Sequence, residues 1–134
     1  MTEFLRVNVD ALTDEDLAGL MRICALNPLG HQAPQVVNRI ALNELSFWKL
    51  RDEKTEVRII LEVVVRPNGN ELHIWGVYGR GLFKNFGRIQ DFCKLVAKQY
   101  FCSAIGGEVF SKGLAKLYEA AGAKKVYIKY ELEL

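Results

Sequence analysis

The alternation of apolar and polar residues predicts a strand at the start of the chain and two amphipathic helices after it. Residues 4–9 alternate as a strand. Thr13 is a typical helix N-cap, and Asp16, three residues later, completes a relative of the capping box. The segment 27–30 (NPLG) ends this helix, and Pro34 suits the first turn of the next one.

The middle of the chain is typical of three consecutive strands joined by short turns. We interpret residues 46–50 (SFWKL) as a strand and 52–55 as a hairpin turn. Residues 56–66 are rich in valine and isoleucine, which favour strands, and 72–77 return antiparallel to them. The Asn-Gly pair at 68–69 supplies the positive φ angles of a tight turn. This hairpin is predicted to lie at the centre of a sheet.

The last part of the chain predicts helix, strand, helix and strand. Residues 82–101 keep apolar side chains at helical spacing, and 103–109 form a short strand that the two glycines at 106–107 break. A helix over 112–121 and an alternating strand over 125–134 complete the chain. The predicted order is βααβββαβαβ. It describes an α/β (α+β) fold with a mixed, mostly antiparallel central sheet and helices on both faces.

Composition and charge exclude several classes of protein. The 134 residues, half of them hydrophobic and a quarter charged, fit one globular domain spanning 1–134. The 18 basic and 16 acidic residues are too balanced to indicate nucleic acid as a partner. No stretch reaches the roughly 18 apolar residues of a membrane span, and no signal peptide begins the chain, so we expect a cytoplasmic protein. Its odd number of cysteines, without metal-ligand spacing, predicts reduced thiols and no metal site.

The most informative stretch is 71–122, where a strand runs through a glycine-flanked turn into a helix. Free N–H groups and the positive end of the helix dipole make such a turn an anion site. The later run 117–123 (LYEAAGA) resembles the LYEKxGF signature of the GNAT N-acetyltransferase superfamily. The long hairpin and the strand-turn-helix match that fold over nearly the whole chain. Segments 67–81 (PNGNELHIWGVYGRG) and 112–114 (KGL) are most similar to the compact GNAT-like proteins of bacteriophages.

The resemblance implies that the chain binds acetyl-CoA and transfers its acetyl group to an amine. The superfamily holds the pyrophosphate on a Gln/Arg-x-x-Gly-x-Gly/Ala turn. Here Arg80 is the first member, but Phe83 and Asn85 stand where glycines belong. Cations at Arg80, Lys84 and Arg88 either compensate for those residues or are merely solvated. The residues that the resemblance assigns to acetyl-CoA are Trp75, Gly76, Val77, Gly79, Arg80, Gly81, Leu82, Phe83, Lys84 and Asn85.

The resemblance also implies roles in catalysis. Tyr118 stands where the superfamily has its general acid, near the CoA sulfur, although it could equally pack against the sheet. Three residues are candidates for the general base, namely Glu62, His73 and Glu108. The backbone N–H groups of 75–77 would bind the thioester oxygen.

Strict alternation along the predicted fourth strand assigns its side chains to two faces. It places Leu72, Ile74 and Gly76 on one face and His73, Trp75 and Val77 on the other. The aromatic residues Trp48, Trp75 and Tyr78 could line a groove for the acceptor or belong to the core.

Two functions from different classes remain open. One is an active N-acetyltransferase that uses an amine on a small molecule or a protein. The other is a GNAT-fold module with weak or no catalysis that binds and modulates a partner protein. If the chain is encoded by a phage, that protein belongs to the host, and the host cytoplasm is the location. A homodimer is an open possibility in either case.

Overall fold

Among the residues that the structure describes, five strands form one sheet, in the order in which they occur along the chain. The computed structural model describes residues 4–26, 32–107, 112–120 and 122–123. The strands are β1 (Leu5–Val7), β2 (Ser46–Arg51), β3 (Glu56–Val64), β4 (Asn70–Arg80) and β5 (Cys102–Gly107). Neighbours are antiparallel from β1 to β4, whereas β5 lies parallel to β4. A mixed, mostly antiparallel sheet was predicted, and it is confirmed.

In the part of the chain that the structure describes, four α-helices accompany the sheet. They are α1 (Asp14–Leu26), α2 (Ala33–Ala41), α3 (Phe86–Gln99) and α4 (Lys112–Ala120). A short 3₁₀ turn over Val9–Ala11 cuts β1 shorter than the predicted strand. The predicted last strand, 125–134, lies outside the described residues, so the complete order of elements stays a prediction.

Each face of the sheet carries its own apolar core. Three consecutive residues at the centre of β3 show the division, because Ile59 and Leu61 belong to the core against α3 while Ile60 belongs to the core against α1 and α2. All three are buried, and burying each such side chain stabilises the fold by roughly 1.5–3 kcal/mol. The predicted position of the β3–β4 hairpin, at the centre of the sheet, is confirmed.

The turn of that hairpin confirms the predicted positive φ angle for Gly69 but not for Asn68, whose φ is not positive. Gly69 has φ +123°, and its N–H donates to the carbonyl of Arg66 at 3.2 Å. Gly122, predicted to follow α4 in a left-handed conformation, has φ +93°, and its N–H donates to the Glu119 carbonyl at 3.0 Å. The cysteines are free, as predicted.

The pairing of β3 with β4 shifts at one point. Leu61 lies opposite Ile74, but Ile60 lies opposite Gly76, so Trp75 is an extra residue on β4. Such a β-bulge interrupts the alternation of side chains and often lies beside a functional site.

The bulge reverses the faces to which the side chains point in the last part of β4. Trp75 packs against the core on the α1 side, and a Cβ on Gly76 would also point there, 3.6 Å from Cδ1 of Ile23. Val77 packs against the core on the α3 side. The strict alternation expected from the sequence is therefore wrong for Gly76 and Val77, because the extra residue reverses the faces after it.

Two predicted boundaries are also wrong. Residues 81–85 form turns, and α3 begins at Phe86, not at residue 82. The two glycines at 106–107 do not break β5, because they are its last residues and pair with His73 and Ile74.

Candidate functional site

The candidate site begins where the pairing of β4 and β5 ends among the described residues. Their paired residues end at Ile74 and Gly107, but β4 itself continues through Trp75–Arg80. Glu108, which follows directly, lies outside the described residues. The bulge at Trp75 lies at the same point of β4. The predicted acetyl-CoA segment 75–77 therefore lies immediately beyond the paired part of the two strands.

The Tyr118 side chain reaches this point from α4. Its hydroxyl oxygen lies 3.8 Å from the position that a Cβ on Gly107 would take. Its ring packs edge-to-face on Phe86, the first residue of α3, with ring centroids 5.6 Å apart. Burial, with a smaller contribution from Cys93, raises the pKa of the Tyr118 phenol well above its ordinary value. The phenol therefore stays protonated and can donate a hydrogen bond.

The two glycines of the predicted phosphate turn allow backbone conformations that other residues rarely adopt. Gly79 has φ +127°, and a Cβ there would collide with the carbonyl oxygen of Glu56 on the neighbouring strand. Gly81 has φ +85° and lies against Thr55, whose hydroxyl oxygen would be 3.1 Å from a Cβ. Both glycines are required by close approach of β3 and by positive φ, whether or not a phosphate binds there.

The start of α3 is arranged differently. The Asn85 amide nitrogen donates to the Gly81 carbonyl at 2.8 Å and to the Thr55 hydroxyl at 3.1 Å, so this side chain ties the turn to β3 and does not cap the helix. Gly87, in the first turn of α3, is exposed, and no atom lies within 4 Å of where its Cβ would be. The first N–H groups of a helix have no intrahelical partner. The first turn of α3, with open space beside Gly87, is therefore a candidate anion site.

The three predicted cations differ in their surroundings. Arg88 donates to Asn85 Oδ1 at 3.0 Å and lies 3.4 Å from the Asp52 carboxylate. Arg80 and Lys84 are exposed, and among the described residues neither has a carboxylate within 4.0 Å. The positive charges of Arg80 and Lys84 can therefore interact with an anion at this end of the sheet.

Two of the three candidate bases, Glu62 and His73, lie on neighbouring strands on the α1 side. Glu62 and His73 are paired positions of β3 and β4. The Glu62 carboxylate accepts a hydrogen bond from Arg39 of α2 at 2.8 Å, and Nδ1 of His73 lies 3.4 Å from the Glu71 carboxylate. The ion pair with Arg39 thus occupies the Glu62 carboxylate. His73 lies two positions before the bulge.

A buried charge network fixes α1 on the sheet beside this site. The N–H groups of Asp16 and Thr13 bond reciprocally to each other's side chains at 3.1 and 2.9 Å, which confirms the predicted cap. The same Asp16 carboxylate, fully buried, binds Lys49 at 2.8 Å and Arg58. Burial alone would raise the pKa of Asp16, but hydrogen bonds from Lys49, Thr13 and Arg58 outweigh it and hold that pKa below its ordinary value. The Tyr78 hydroxyl donates to the Asp16 carbonyl oxygen at 2.8 Å.

The three aromatic residues considered for an acceptor groove do not share a face. Trp48 lies on the α3 side, where its indole N–H donates to Ser46 at 2.8 Å and its ring contacts Phe92. Trp75 and Tyr78 lie on the α1 side. A common groove lined by all three is therefore wrong, because the sheet separates Trp48 from the other two.

Sequence reasoning missed three features of this site. Gly87 stood inside the predicted helix, where a glycine had no evident purpose. Asp16 was identified only as a cap, and its partners Lys49 and Arg58 are more than thirty residues away along the chain. The bulge at Trp75 had no signal beyond the Trp-Gly pair. Among the described residues, no helix is long and apolar enough to cross a membrane and no cluster of side chains could hold a metal ion.

Comparison with known proteins identifies the fold. No known protein family matches the sequence, and no curated protein is similar to it in sequence. Several solved structures share the fold over almost the whole chain. A GCN5-related N-acetyltransferase from Ralstonia eutropha is 13% identical, with a TM-score of 0.68 and 99% of each chain covered.

Two further neighbours use different acceptors. The ribosomal-protein-alanine N-acetyltransferase of Brucella melitensis is 11% identical, with a TM-score of 0.64 and all of each chain covered. An aminoglycoside acetyltransferase from an uncultured soil sample, solved with sisomicin, is 8% identical, with a TM-score of 0.67 and 99% of this chain and 96% of that chain covered. The chain therefore has the fold of GNAT acetyltransferases, and that fold is compatible with more than one class of acceptor.

Proposed function

We propose that this protein is an acetyl-CoA-dependent N-acetyltransferase acting on an amine of a small molecule or a protein. The observation that carries the proposal is the position of the Tyr118 hydroxyl beside Gly107, the last residue of β5 that the structure describes as paired with β4. The ring of Tyr118 also contacts Phe86, so the start of α3 and the hydroxyl adjoin each other. A donor with phosphates at one end and a thioester at the other would be bound at both ends. The acetyltransferases that share this fold support the same activity.

The phosphates of the donor would bind at the start of α3. N–H groups of the first helical turn and the helix dipole attract anions, and Gly87 leaves the backbone open to them. The exposed Arg80 and Lys84 add positive charge. This placement lies a few residues after the turn 80–85 that the sequence resemblance suggested, because α3 begins at Phe86.

In the transfer step, the amine nitrogen attacks the thioester carbonyl carbon. A C–N bond forms, the C–S bond breaks, and the electron pair leaves with sulfur as a thiolate. Backbone N–H groups of residues 75–77 would stabilise the negative charge that develops on the carbonyl oxygen. Tyr118 would donate a hydrogen bond to the departing sulfur. Because a thiol has an ordinary pKa of about 8.5 and the pKa of Tyr118 is raised, this hydrogen bond, rather than complete proton transfer, is its main contribution.

The proton lost by the amine would pass to His73 or to water. His73 lies on the α1 side of β4, the same side as Trp75 at the bulge. Glu62 is less suited because Arg39 holds its carboxylate, and Glu108 remains a third candidate. A His73→Gln variant that keeps CoA binding but loses turnover at neutral pH would support His73 as the base.

The test of this function begins with binding. Acetyl-CoA and free CoA are titrated into the protein by calorimetry, and CoA release is then followed with spermidine, a lysine peptide and a peptide with N-terminal alanine. We expect both nucleotides to bind and at least one amine to accelerate thiol release. Failure of both nucleotides to bind would overturn the proposal.

A second function is favoured by one observation. Among the described residues, the carboxylate of Glu62 is held by Arg39 and therefore is not poised as a base near the strand ends. A GNAT-fold module with weak catalysis that binds a partner protein, a host protein if the chain is encoded by a phage, fits that arrangement. Binding of CoA without turnover on any amine would favour this second function.

A further inference from the structure

The two sides of the sheet divide the candidate site. The Tyr118 ring and the start of α3 lie on the α3 side of the sheet. The ring packs against the apolar core there and contacts Phe86, the first residue of α3. Trp75 lies on the opposite side, against α1 and α2. The Tyr118 hydroxyl adjoins Gly107, at the end of the paired strands. In the proposed binding mode, a donor held by its phosphates at α3 would pass between β4 and β5 beyond their described pairing, and its acyl chain would extend toward α1.

Ile23 of α1 covers the backbone at that point. Because of the bulge, a side chain at position 76 would point toward α1. A Cβ there would lie 3.6 Å from Cδ1 and 3.9 Å from Cγ2 of Ile23, the nearest atoms outside residues 75–77. The glycine therefore leaves room for about one methyl group between the β4 backbone and the Ile23 side chain.

The helix that carries Ile23 is held close to β4. Gly19, one turn earlier, is buried against the ring of Tyr78, and a Cβ there would collide with that ring. The Tyr78 hydroxyl bonds to the Asp16 carbonyl oxygen at 2.8 Å, and Lys49 and Arg58 bind the Asp16 carboxylate. Moving α1 away from β4 would break these contacts. Ile23 is therefore held in a fixed position over Gly76.

We propose that Ile23, packed over Gly76, restricts the acyl group to acetyl and excludes longer chains. The inference rests on the proposed function, because it assumes that an acyl-CoA binds in this site. A chain of four carbons would have to displace the isoleucine or bend back toward solvent. Ile23 is thus assigned as a residue that determines acyl-chain specificity, which neither the fold nor the solved neighbours assign.

The experiment compares the binding of free CoA, acetyl-CoA and butyryl-CoA by calorimetry, so that no acceptor needs to be known. The parent should bind acetyl-CoA at least about tenfold more tightly than butyryl-CoA, the scale on which small changes in apolar chain length are discriminated. Ile23→Ala should bind the two thioesters within about twofold of each other, with affinity for free CoA unchanged. Ile23→Val, which removes only the Cδ1 methyl group, should give an intermediate preference. This smaller change keeps the inference testable if Ile23→Ala does not fold.

Two control variants complete the design. Met21→Ala truncates an exposed side chain of the same helix and should keep the preference of the parent. Gly76→Ala adds a methyl group at ordinary contact distance from Ile23 and should weaken acetyl-CoA relative to free CoA. Equal affinity of the parent for both thioesters, or an unchanged preference in the Ile23 variants, would overturn this inference alone. Failure of the parent to bind CoA and acetyl-CoA would overturn the proposed function as well.

Discussion

At the scale of single residues, Tyr118 is held in place by contacts of its ring. The ring packs on Phe86 and against the α3-side core, whereas the hydroxyl points to Gly107 at the strand ends. Burial keeps the phenol protonated. Structure and chemistry can therefore be separated by removing the hydroxyl alone.

Tyr118→Phe should lower turnover by roughly 10²–10³-fold, the range for losing one hydrogen-bond donor that stabilises charge developing in the transition state. CoA affinity and melting temperature should change little, because the ring still fills its site and the hydrogen bond forms mainly in the transition state. Steady-state kinetics with an accepted amine, beside calorimetry with CoA, check this. An equally active variant of an active parent would show that the Tyr118 hydroxyl does not stabilise the departing sulfur.

Gly87 tests where the phosphates bind. Gly87→Asp should stabilise α3 by about 0.5–1 kcal/mol, since an acidic side chain in the first turn suits the helix dipole and glycine is costly in helices. The same carboxylate should repel the phosphates and weaken CoA binding by more than about tenfold. Gly87→Ala is the matched control, with the backbone gain and no charge.

Calorimetry and thermal unfolding of the two Gly87 variants separate the effects. If Gly87→Asp binds CoA as well as the parent does, the phosphates lie elsewhere. Arg80→Ala then becomes the informative variant for the turn over 80–85, where losing a charge-assisted contact should cost about 1–3 kcal/mol of binding.

At the scale of elements, α1 is joined to the sheet through one carboxylate. Asp16 caps the helix through Thr13 and binds Lys49 of β2 and Arg58 of β3. Arg58 also binds Glu56 and lies over the Tyr78 ring. Three strands and a helix terminus thus share one buried network, in which the described polar side chains are all satisfied.

Asp16→Asn should lower the free energy of unfolding by about 3–5 kcal/mol, since it removes one partner of a buried ionic network. The pKa of Asp16 is lowered by folding from an ordinary value of 3.8. Its stabilising contribution is therefore complete above that value and is lost as the pH falls through the folded-state pKa. Urea unfolding between pH 2 and 7 should show a shallower acid loss in the variant.

Asp14→Asn is the control for this experiment, because Asp14 lies in the same first turn of α1 but is exposed. Its removal should leave the acid limb of the stability profile close to that of the parent. A parent whose stability does not fall on acidification would contradict the role given to Asp16.

At the scale of the whole molecule, the two cores share the sheet between them. Residues of β3 contribute to both, and each helix layer covers a different face of that strand. Cys24 belongs to the core on the α1 side and Cys93 to the core on the α3 side, whereas Cys102 is only partly buried. The thiols therefore report on each layer separately.

We expect Cys102 to react with a thiol reagent within minutes at pH 8, while Cys24 and Cys93 react only as fast as the protein unfolds. Burial raises the pKa of Cys93 to about 12, so its reactive thiolate is scarce in the folded state. Reaction kinetics with Ellman's reagent, with and without urea, measure this. Fast reaction of two thiols in the native protein would show that one layer opens on its own.

The sequence by itself determined most of the elements and the fold class. Apolar periodicity, Thr13 as a cap, the Asn-Gly turn and Gly122 are local signals, because they act within one turn or one pair of strands. They were sufficient to predict the central hairpin and the strand-turn-helix in which the candidate site lies. The position of Tyr118 beside the strand ends agrees with the resemblance, although its role remains a prediction.

Only the tertiary structure decided the remaining features. The bulge at Trp75 depends on pairing with β3, and it alone determines that Gly76 faces Ile23. Asp16 meets Lys49 and Arg58 only after the sheet has formed, and Gly87 became the open residue only when α3 was found to start at Phe86. The physical reason is the same in each case. Such contacts join residues far apart in the chain, and no local periodicity encodes them.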